Sequence, residues 1–192
     1  KAGVQIVTGD TKVVEKGKGD KIFVNTSGIG LVHPKANIHH NRIKPGDKII
    51  ISGPMAAHGI AIMSLRKGLE FETTIESDTR NLNHITQQLI DLFGANIHFM
   101  RDPTRGGVAS VLNEVAGMTQ LGYLLDQKQI PVDEQVEGAC EMLGLDPLYV
   151  ANEGIFIAIV NPLIAESFLY LLKKEPEFAS AALIGEVVDD HH

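Results

Sequence analysis

Three short polar stretches contain the residues of this sequence that could do chemistry. The first, RDPTRGG, spans residues 101–107. Apolar residues then follow at helical spacing, so the pattern predicts a helix that starts within the stretch and faces a core. These apolar residues are Val108, Val111, Leu112 and Val115.

Two adjacent glycines, Gly106 and Gly107, stand at the start of this predicted helix. Inside a helix each would cost about 1 kcal/mol relative to alanine. A helix N-terminus presents unpaired backbone N–H groups, and glycine leaves them open to an anion such as phosphate. Arg101 and Arg105 would add positive charge there. The alternative is ordinary capping, with the helix packed closely against a neighbour.

The residues before the glycines are expected to cap the helix. Asp102 precedes Pro103, and an acidic cap followed by proline is a common helix start. Thr104 is a second capping candidate.

The second polar stretch is Asp10-Thr11-Lys12, between the apolar residues Val7 and Val13. A carboxylate suits Mg²⁺ and a lysine suits a nucleotide phosphate. The alternative interpretation is a simple hairpin turn.

The third stretch is Asn152-Glu153-Gly154, set between the apolar runs LYVA and IFIAIV. We expect Glu153 to be partly buried, and burial raises the pKa of a carboxyl toward the range useful for a general base. The alternative is a tight turn in which Gly154 supplies an unusual backbone angle. Among the histidines, His58 is a site candidate because it lies at a predicted strand-to-helix junction.

Composition limits the classes of protein that fit. The chain has 192 residues, 44% of them hydrophobic, which is enough for a core. Its net charge of −7 argues against a general nucleic-acid binder but allows a local phosphate site. No apolar run is long enough for a transmembrane helix, and we expect no signal peptide. The single cysteine, Cys140, fits a reducing cytoplasm and is expected to be a buried core residue.

The order of predicted elements indicates an α+β fold from about residue 39 onward. Two extended segments, 3–14 and 20–30, precede a turn-rich boundary at 33–47. Two strands with no helix of their own cannot bury a core, so residues 1–38 are expected to be the end of another domain. After this boundary, strands are predicted at 47–53, 96–100, 122–126, 148–160 with a central break, and 180–188. Helices are predicted at 58–68, 81–94, 131–144 and 161–174, in addition to the helix after RDPTRGG.

Longer motifs resemble one family. In order along the chain, VTGDTKVV, VNTSGIG, HGIAIMSLRKGLEF, MRDPTRGGVASVLNE, LGLDPLYVANEG and LIGEVV are similar to the HypE family of hydrogenase maturation proteins. The resemblance covers nearly the whole chain. The family belongs to the superfamily of aminoimidazole ribonucleotide synthase, selenophosphate synthetase and thiamine-monophosphate kinase.

The resemblance implies a fold and a division of the chain. Residues 39–192 would form the C-terminal α/β sandwich domain of the aminoimidazole ribonucleotide synthase-like superfamily. Residues 1–38 would be the last strands of a mostly missing N-terminal ATP-binding domain, through which the family dimerises.

The resemblance also implies an activity: dehydration of a cysteine-linked thiocarboxamide to a thiocyanate, which supplies cyanide for the iron of [NiFe] hydrogenase. The implied cofactors are ATP and Mg²⁺. The implied partners are the carbamoyltransferase HypF, the HypC–HypD maturation complex and, in the full-length protein, a second copy of the chain. No nucleic acid or membrane is implied, and the location would be the cytoplasm.

The same resemblance assigns roles to the three polar stretches. Asp10, Thr11 and Lys12 match the nucleotide motif, with Asp10 also a metal ligand and Lys12 also catalytic. Asn152 and Glu153 match the catalytic Asn-Glu-Gly. The phosphate-facing loop is matched by Asp102, Thr104, Arg105, Gly106 and Gly107.

The sequence departs from the family pattern in three places. Ala56-Ala57-His58-Gly59 stands where the family has Gly-Asp-His-Gly, which removes a carboxylate near the expected site. The Pro-Arg-Ile-Cys tail with the acceptor cysteine is absent, and Cys140 lies at a different family position. The N-terminal aspartates that share metal binding are also absent, so this chain alone is not expected to complete turnover. Two alternatives stay open: another ATP-dependent synthetase or kinase of the superfamily, and a non-catalytic interaction domain in a maturation complex.

Overall fold

A five-stranded sheet organises the chain, of which the computed structural model describes residues 2–19, 22–68 and 75–189. The strands lie in the order β2-β4-β1-β5-β3, and each is antiparallel to its neighbours. Their bounds are β1 Lys48–Ile51, β2 Ile97–Arg101, β3 Gly122–Leu125, β4 Ile157–Val160 and β5 Ala182–Val188.

Helices cover both faces of the sheet. They are α1 Ala57–Lys67, α2 Asn83–Phe93, α3 Gly107–Thr119, α4 Glu134–Leu143 and α5 Ala165–Lys174. The apolar faces of α1, α3 and α4 contribute to one buried cluster, and those of α2 and α5 to another.

Side-chain alternation along β1 shows why the sheet lies between two layers of helices. Ile49 and Ile51 pack into the first cluster and Ile50 into the second, and all three are fully buried. Successive residues of a strand point to opposite faces, so a strand covered on both sides is apolar throughout. The α+β sandwich predicted from the sequence is confirmed.

Two local predictions are wrong. Helix α3 begins at Gly107, with Gly106 as its N-cap in a left-handed conformation and no side-chain cap, so neither Asp102 nor Thr104 caps it. The residues before β4 that were expected to form a strand instead contain a 3₁₀ turn at Pro147–Tyr149, which Asp146 caps through its side chain. The N–H groups of Leu148, Tyr149 and Val150 donate to Asp146 and Pro147 within this turn, so they are not available to a strand ladder.

The N-terminal residues 2–19 and 22–32 contain no helix or paired strand, and their apolar side chains are exposed. The two strands predicted there are therefore not formed within the described part of the chain; Asp20 and Lys21 of the second lie outside it. Hydrogen bonds to α2 are made by Ala2, whose carbonyl accepts from Asn83 Nδ2 at 3.0 Å, and by His33 and Lys35, which bind Asp91. The domain boundary at residue 39 stays a prediction.

No helix in the ranges 2–19, 22–68 and 75–189 is long and apolar enough to cross a membrane.

Gln120, which ends α3, has a left-handed backbone conformation at φ 58°. A side chain in this conformation costs about 1–2 kcal/mol, whereas glycine adopts it freely. We expect Gln120→Gly to raise the free energy of unfolding by about 0.5–1 kcal/mol, measured by urea denaturation. Gln120→Ala is the control, because it removes the bond from the amide Nε2 to the Gly117 carbonyl but keeps the strain. Equal effects of the two substitutions would contradict the prediction.

Candidate functional site

The three strands at the centre and one side of the sheet bring the predicted site residues to one edge. β1 and β2 both run antiparallel to β4, and Ile51 and Arg101, their last residues, both pair with Ile157, the first residue of β4. The segments after β1 and β2 and the segment before β4 therefore meet at this edge. These segments contain Ala56–Gly59, the 102–107 loop and Asn152–Gly154.

The side chain of Asn152 holds these three segments together. It is completely buried. Its Oδ1 accepts from the backbone N–H of Ala56 at 2.7 Å, and its Nδ2 donates to the carbonyls of Pro103 and Val150, each at 3.0 Å. The Asn152 backbone N–H also donates to the Pro103 carbonyl at 3.2 Å. All polar atoms of the side chain are bonded within the protein, so the amide holds the loops in place; the catalytic role of Asn152 stays a prediction.

Close packing around residue 107 explains why this position is a glycine. A Cβ atom there would lie 2.4 Å from the Leu148 carbonyl oxygen and 2.7 Å from that of Val150, and φ is +64°. Its backbone N–H donates to the Thr104 carbonyl at 3.0 Å. The contacts at Gly107 thus support close packing of the helix against a neighbour, which was the alternative to an anion site.

The start of α3 nevertheless keeps groups that suit an anion. Within the described ranges, no protein acceptor is found for the backbone N–H groups of Val108 and Ala109, as is usual in a first turn. Arg105 is exposed, and no hydrogen bond or ion pair joins it to another described residue. Arg101, in contrast, pairs with Glu114 of α3 at 2.5 Å. The phosphate-facing role of Asp102, Thr104, Arg105, Gly106 and Gly107 stays a prediction.

The Glu153 side chain is exposed, so the expectation that it is partly buried is wrong. The apolar runs around it belong to the core, but the turn between them projects from the edge of the sheet. The backbone on both sides is closely packed: Asn152 and Gly154 are buried. The carboxylate therefore lies at the surface on a rigid turn.

Asp78 is a site residue that the sequence analysis missed. It lies in the segment before α2, and its buried carboxylate accepts from the backbone N–H groups of Glu153 at 3.1 Å and Gly154 at 3.1 Å. The serine before it, Ser77, contacts His58 Nδ1 through its hydroxyl at 2.8 Å. The signal for Asp78 in the sequence is weak: the polar run Glu76–Thr79 precedes a predicted helix, as many caps do.

Gly154 is required for space rather than for an unusual backbone angle, which corrects the turn interpretation. Its φ is not positive. A Cβ atom there would lie 1.7 Å from the Asp78 carbonyl oxygen.

The second polar stretch is not brought to the site within this chain. Asp10, Thr11 and Lys12 are exposed, and no described hydrogen bond or ion pair connects them to the sandwich. No group of three or more histidine, cysteine, aspartate or glutamate side chains suited to a metal ion occurs among the described residues.

Cys140 is buried in the first core cluster, as predicted. Burial raises the pKa of its thiol, and the nearby carboxylates of Asp146 and Glu137 raise it further. The sulfur lies beneath an open cavity of about 500 Å³ lined by Met55, Ile130 and Leu148 among others. A thiol with a raised pKa is a poor nucleophile at neutral pH.

Comparison with known proteins gives consistent similarities. Residues 44–192 match the family model described as AIR synthase related protein, C-terminal domain. The chain is 48% identical over 189 residues to the carbamoyl dehydratase HypE of Rhizobium leguminosarum bv. viciae, covering 98% of this chain and 54% of the relative. The chain thus spans about half the length of the curated relatives it matches.

Two solved structures resemble the sandwich closely. One is a HypE–HypF complex, with a TM-score of 0.79, 42% identity and coverage of 82% of this chain and 52% of that one. The other is HypE in complex with ATP, with a TM-score of 0.74, 45% identity and coverage of 78% and 44%. These similarities confirm the resemblance inferred from the sequence motifs.

Removing the Asn152 amide should destabilise the whole sandwich. Asn152→Ala leaves the Ala56 N–H and the Pro103 carbonyl without their side-chain partner in a buried site. We expect the free energy of unfolding to fall by about 2–4 kcal/mol, measured by urea denaturation. Asn113→Ala removes an exposed bond to the Ala109 carbonyl and is the matched control, expected to change stability by about 0.5 kcal/mol or less. Similar losses in the two variants would contradict the positioning role.

Cys140 should react slowly with alkylating reagents. At pH 8 its raised pKa keeps the thiolate fraction below that of a free cysteine, and burial blocks access. We expect iodoacetamide to modify the folded chain at least about 10-fold more slowly than the urea-unfolded chain, followed by mass spectrometry. Equal rates in the two states would mean that the thiol is accessible.

Proposed function

Because this chain belongs to the family of AIR synthase related proteins through residues 44–192, we propose that it is the C-terminal part of an ATP-dependent carbamoyl dehydratase of the HypE type. One observation carries the proposal: the buried Asn152 amide joins the Glu153 turn to the 102–107 loop, at the loops that match the family's catalytic and phosphate motifs. The 48% identity to a carbamoyl dehydratase supports the same reaction.

The proposed reaction removes the elements of water from an amide. A cysteine-linked thiocarboxamide, R–S–C(=O)–NH₂, and ATP give the thiocyanate R–S–C≡N, ADP and phosphate. An amide oxygen is a poor leaving group until it carries a phosphoryl group, and ATP supplies that group. Loss of the phosphate then requires that both N–H protons be removed.

Different residues of this chain would remove the protons, bind the phosphate and position the loops. Glu153 carries an exposed carboxylate on a rigid turn, which suits a base that must reach a substrate at the surface. Arg105 and the first backbone N–H groups of α3 neutralise phosphate charge. Asn152 acts through the loops that it joins, as a positioning residue.

The donor groups of the described residues fit a nucleotide phosphate at the start of α3, where Arg105 is exposed and no described protein acceptor binds the N–H groups of Val108 and Ala109. Asp10 and Lys12 would complete the nucleotide site when residues 1–38 fold with the rest of an ATP-binding domain. Asp10 would then supply one Mg²⁺ ligand, with further ligands from outside the described residues. The binding of ATP by a HypE relative supports this part of the proposal.

The partners follow from the same relatives. A HypE–HypF complex has been solved, and we propose that the full-length protein likewise receives its carbamoyl group from HypF. Delivery of cyanide through a HypC–HypD complex, dimerisation through the N-terminal domain and a location in the cytoplasm complete the proposal. The single unpaired cysteine is consistent with a reducing compartment.

Glu153→Gln in the full-length protein tests the reaction. The substitution keeps the shape of the side chain and removes the base. We expect thiocyanate formation to fall by about 10²–10⁴-fold, the usual contribution of a positioned general base, while ATP affinity stays within about threefold. Single-turnover assays with carbamoylated protein and calorimetric ATP titration measure the two quantities.

Glu141→Gln is the control, because Glu141 is also an exposed glutamate but lies on α4. Loss of ATP binding in Glu153→Gln would make Glu153 a nucleotide or metal contact. Wild-type protein that transfers phosphate to a small molecule without forming thiocyanate would favour a superfamily kinase. Absence of any ATP-dependent turnover would favour the interaction domain.

A further inference from the structure

Asp78 holds the backbone of the proposed catalytic residue. Its two carboxylate oxygens lie 3.1 Å and 3.3 Å from the Glu153 backbone nitrogen, and Oδ2 also accepts from the Gly154 N–H at 3.1 Å. Two consecutive N–H groups thus point at one buried carboxylate. Hydrogen bonds to a charged acceptor are about twice as strong as neutral ones, so this contact fixes the orientation of the turn.

The segment that carries Asp78 is anchored on both sides. Ser77 joins His58 of α1, and its hydroxyl also contacts the Thr79 hydroxyl at 2.6 Å. On the other side, Arg80 donates through Nε to the Asp78 carbonyl at 3.1 Å and through Nη1 to the Glu177 carbonyl. Its guanidinium also lies 5.5 Å from the centre of the Phe178 ring.

The segment that carries Asp78 and the Glu153 turn lie so close together that neither backbone can shift independently. A Cβ atom at Gly154 would overlap the Asp78 carbonyl oxygen, so the turn and the 77–80 segment are in backbone contact. A shift of Asp78 would therefore move the Glu153 turn with it.

We propose that Asp78 is a positioning residue that sets the geometry of Glu153 for proton removal. The proposal rests on the proposed function, and it names a residue outside the three polar stretches that match the family motifs. A carboxylate with an exposed side chain has few contacts of its own to orient it, so its accuracy depends on the backbone that carries it. A misplacement of about 1 Å can reduce a rate by about 100-fold.

Backbone hydrogen exchange in this chain tests the geometric part. In Asp78→Asn, one acceptor oxygen is replaced by an NH₂ group that faces an N–H donor. We expect the Glu153 and Gly154 amides to exchange at least about 10-fold faster than in the wild type, while the central-strand amide of Ile159 is unchanged. Asp133→Asn is the matched control, because the exposed Asp133 side chain makes no capping bond to α4. Unchanged exchange at Glu153 and Gly154 would overturn the proposal.

Kinetics of the full-length protein test the positioning role. We expect Asp78→Asn to lower kcat for thiocyanate formation by about 10–100-fold and to leave the KM for ATP within about threefold. The double variant Asp78→Asn/Glu153→Gln should be no slower than Glu153→Gln alone, because a residue that acts only through Glu153 has no further effect once that base is gone. If the rate losses of the two single variants multiply in the double variant, Asp78 has a general structural role and the proposal is overturned.

Arg80→Ala provides a second variant if Asp78→Asn does not fold. It frees one anchor of the segment and leaves the carboxylate intact, so we expect the same non-additivity with a kcat loss of about 3–10-fold. Wild-type protein without thiocyanate formation would refute the proposed function. If the wild-type protein is active and kcat is unchanged in both Asp78→Asn and Arg80→Ala, the role of Asp78 is refuted while the proposed function stands.

Discussion

The hydrogen bonds of the Asn152 amide determine the arrangement on which the candidate site depends. A buried amide without partners would cost about 1–3 kcal/mol for each unsatisfied group, so the surrounding backbone has to present its polar atoms to it. Ala56, Pro103 and Val150 do so from three separate segments. The loops are thereby held against each other at the edge of the sheet, although little regular structure lies within them.

Strand pairing determines that these segments meet at all. Because β1, β2 and β4 are adjacent and alternate in direction, the ends of β1 and β2 and the start of β4 fall at one edge. The sheet continues by one more pair beyond its last regular residues, since the Ser52 N–H donates to the Phe156 carbonyl and the Ser52 hydroxyl accepts from the Phe156 N–H. The turn of Glu153 therefore lies directly before a strand that is paired on both sides, which limits its movement.

Much of the sandwich could be predicted from the sequence, because periodicity and stop signals are local. The apolar spacing and Gly94 located α2, and the spacing after RDPTRGG located the buried face of α3. The start of α3 could not be predicted in the same way. Asp102 and Pro103 satisfy the local rules for a helix start, but the Pro103 carbonyl is bound to Asn152, which keeps that segment in the loop. That contact spans 49 residues, and no local pattern reveals it.

The site shows the same limit. Asn152 and Glu153 could be found because a polar pair between two apolar runs stands out. Whether Glu153 is buried could not be deduced, because a turn at a sheet edge carries its side chain outward while its neighbours remain in the core. Asp78 was missed because its significance lies in two backbone N–H groups 75 and 76 residues away. Residues 2–19 and 22–32 show the complementary case: their composition is typical of strands, but no strand forms because no described strand pairs with them.

Ala56 and Ala57 lie where the resemblance to the family predicts a glycine and a carboxylate. Ala56 has a left-handed backbone at φ 74°, a conformation that costs a residue with a Cβ atom about 1–2 kcal/mol. The glycine that the resemblance predicts at this position would avoid that cost. The conformation persists in this chain because it directs the Ala56 N–H to Asn152 Oδ1 immediately before α1. Strain is thus retained where the loops must converge, as is common at functional sites. At Ala57 the side chain is a buried methyl group where the resemblance predicts a carboxylate. Asp78, Asp102 and Glu153 are among the residues that bring carboxylates to the segments at this edge. Asp78 is already bonded to backbone N–H groups, whereas the Glu153 carboxylate is exposed and can therefore reach a substrate.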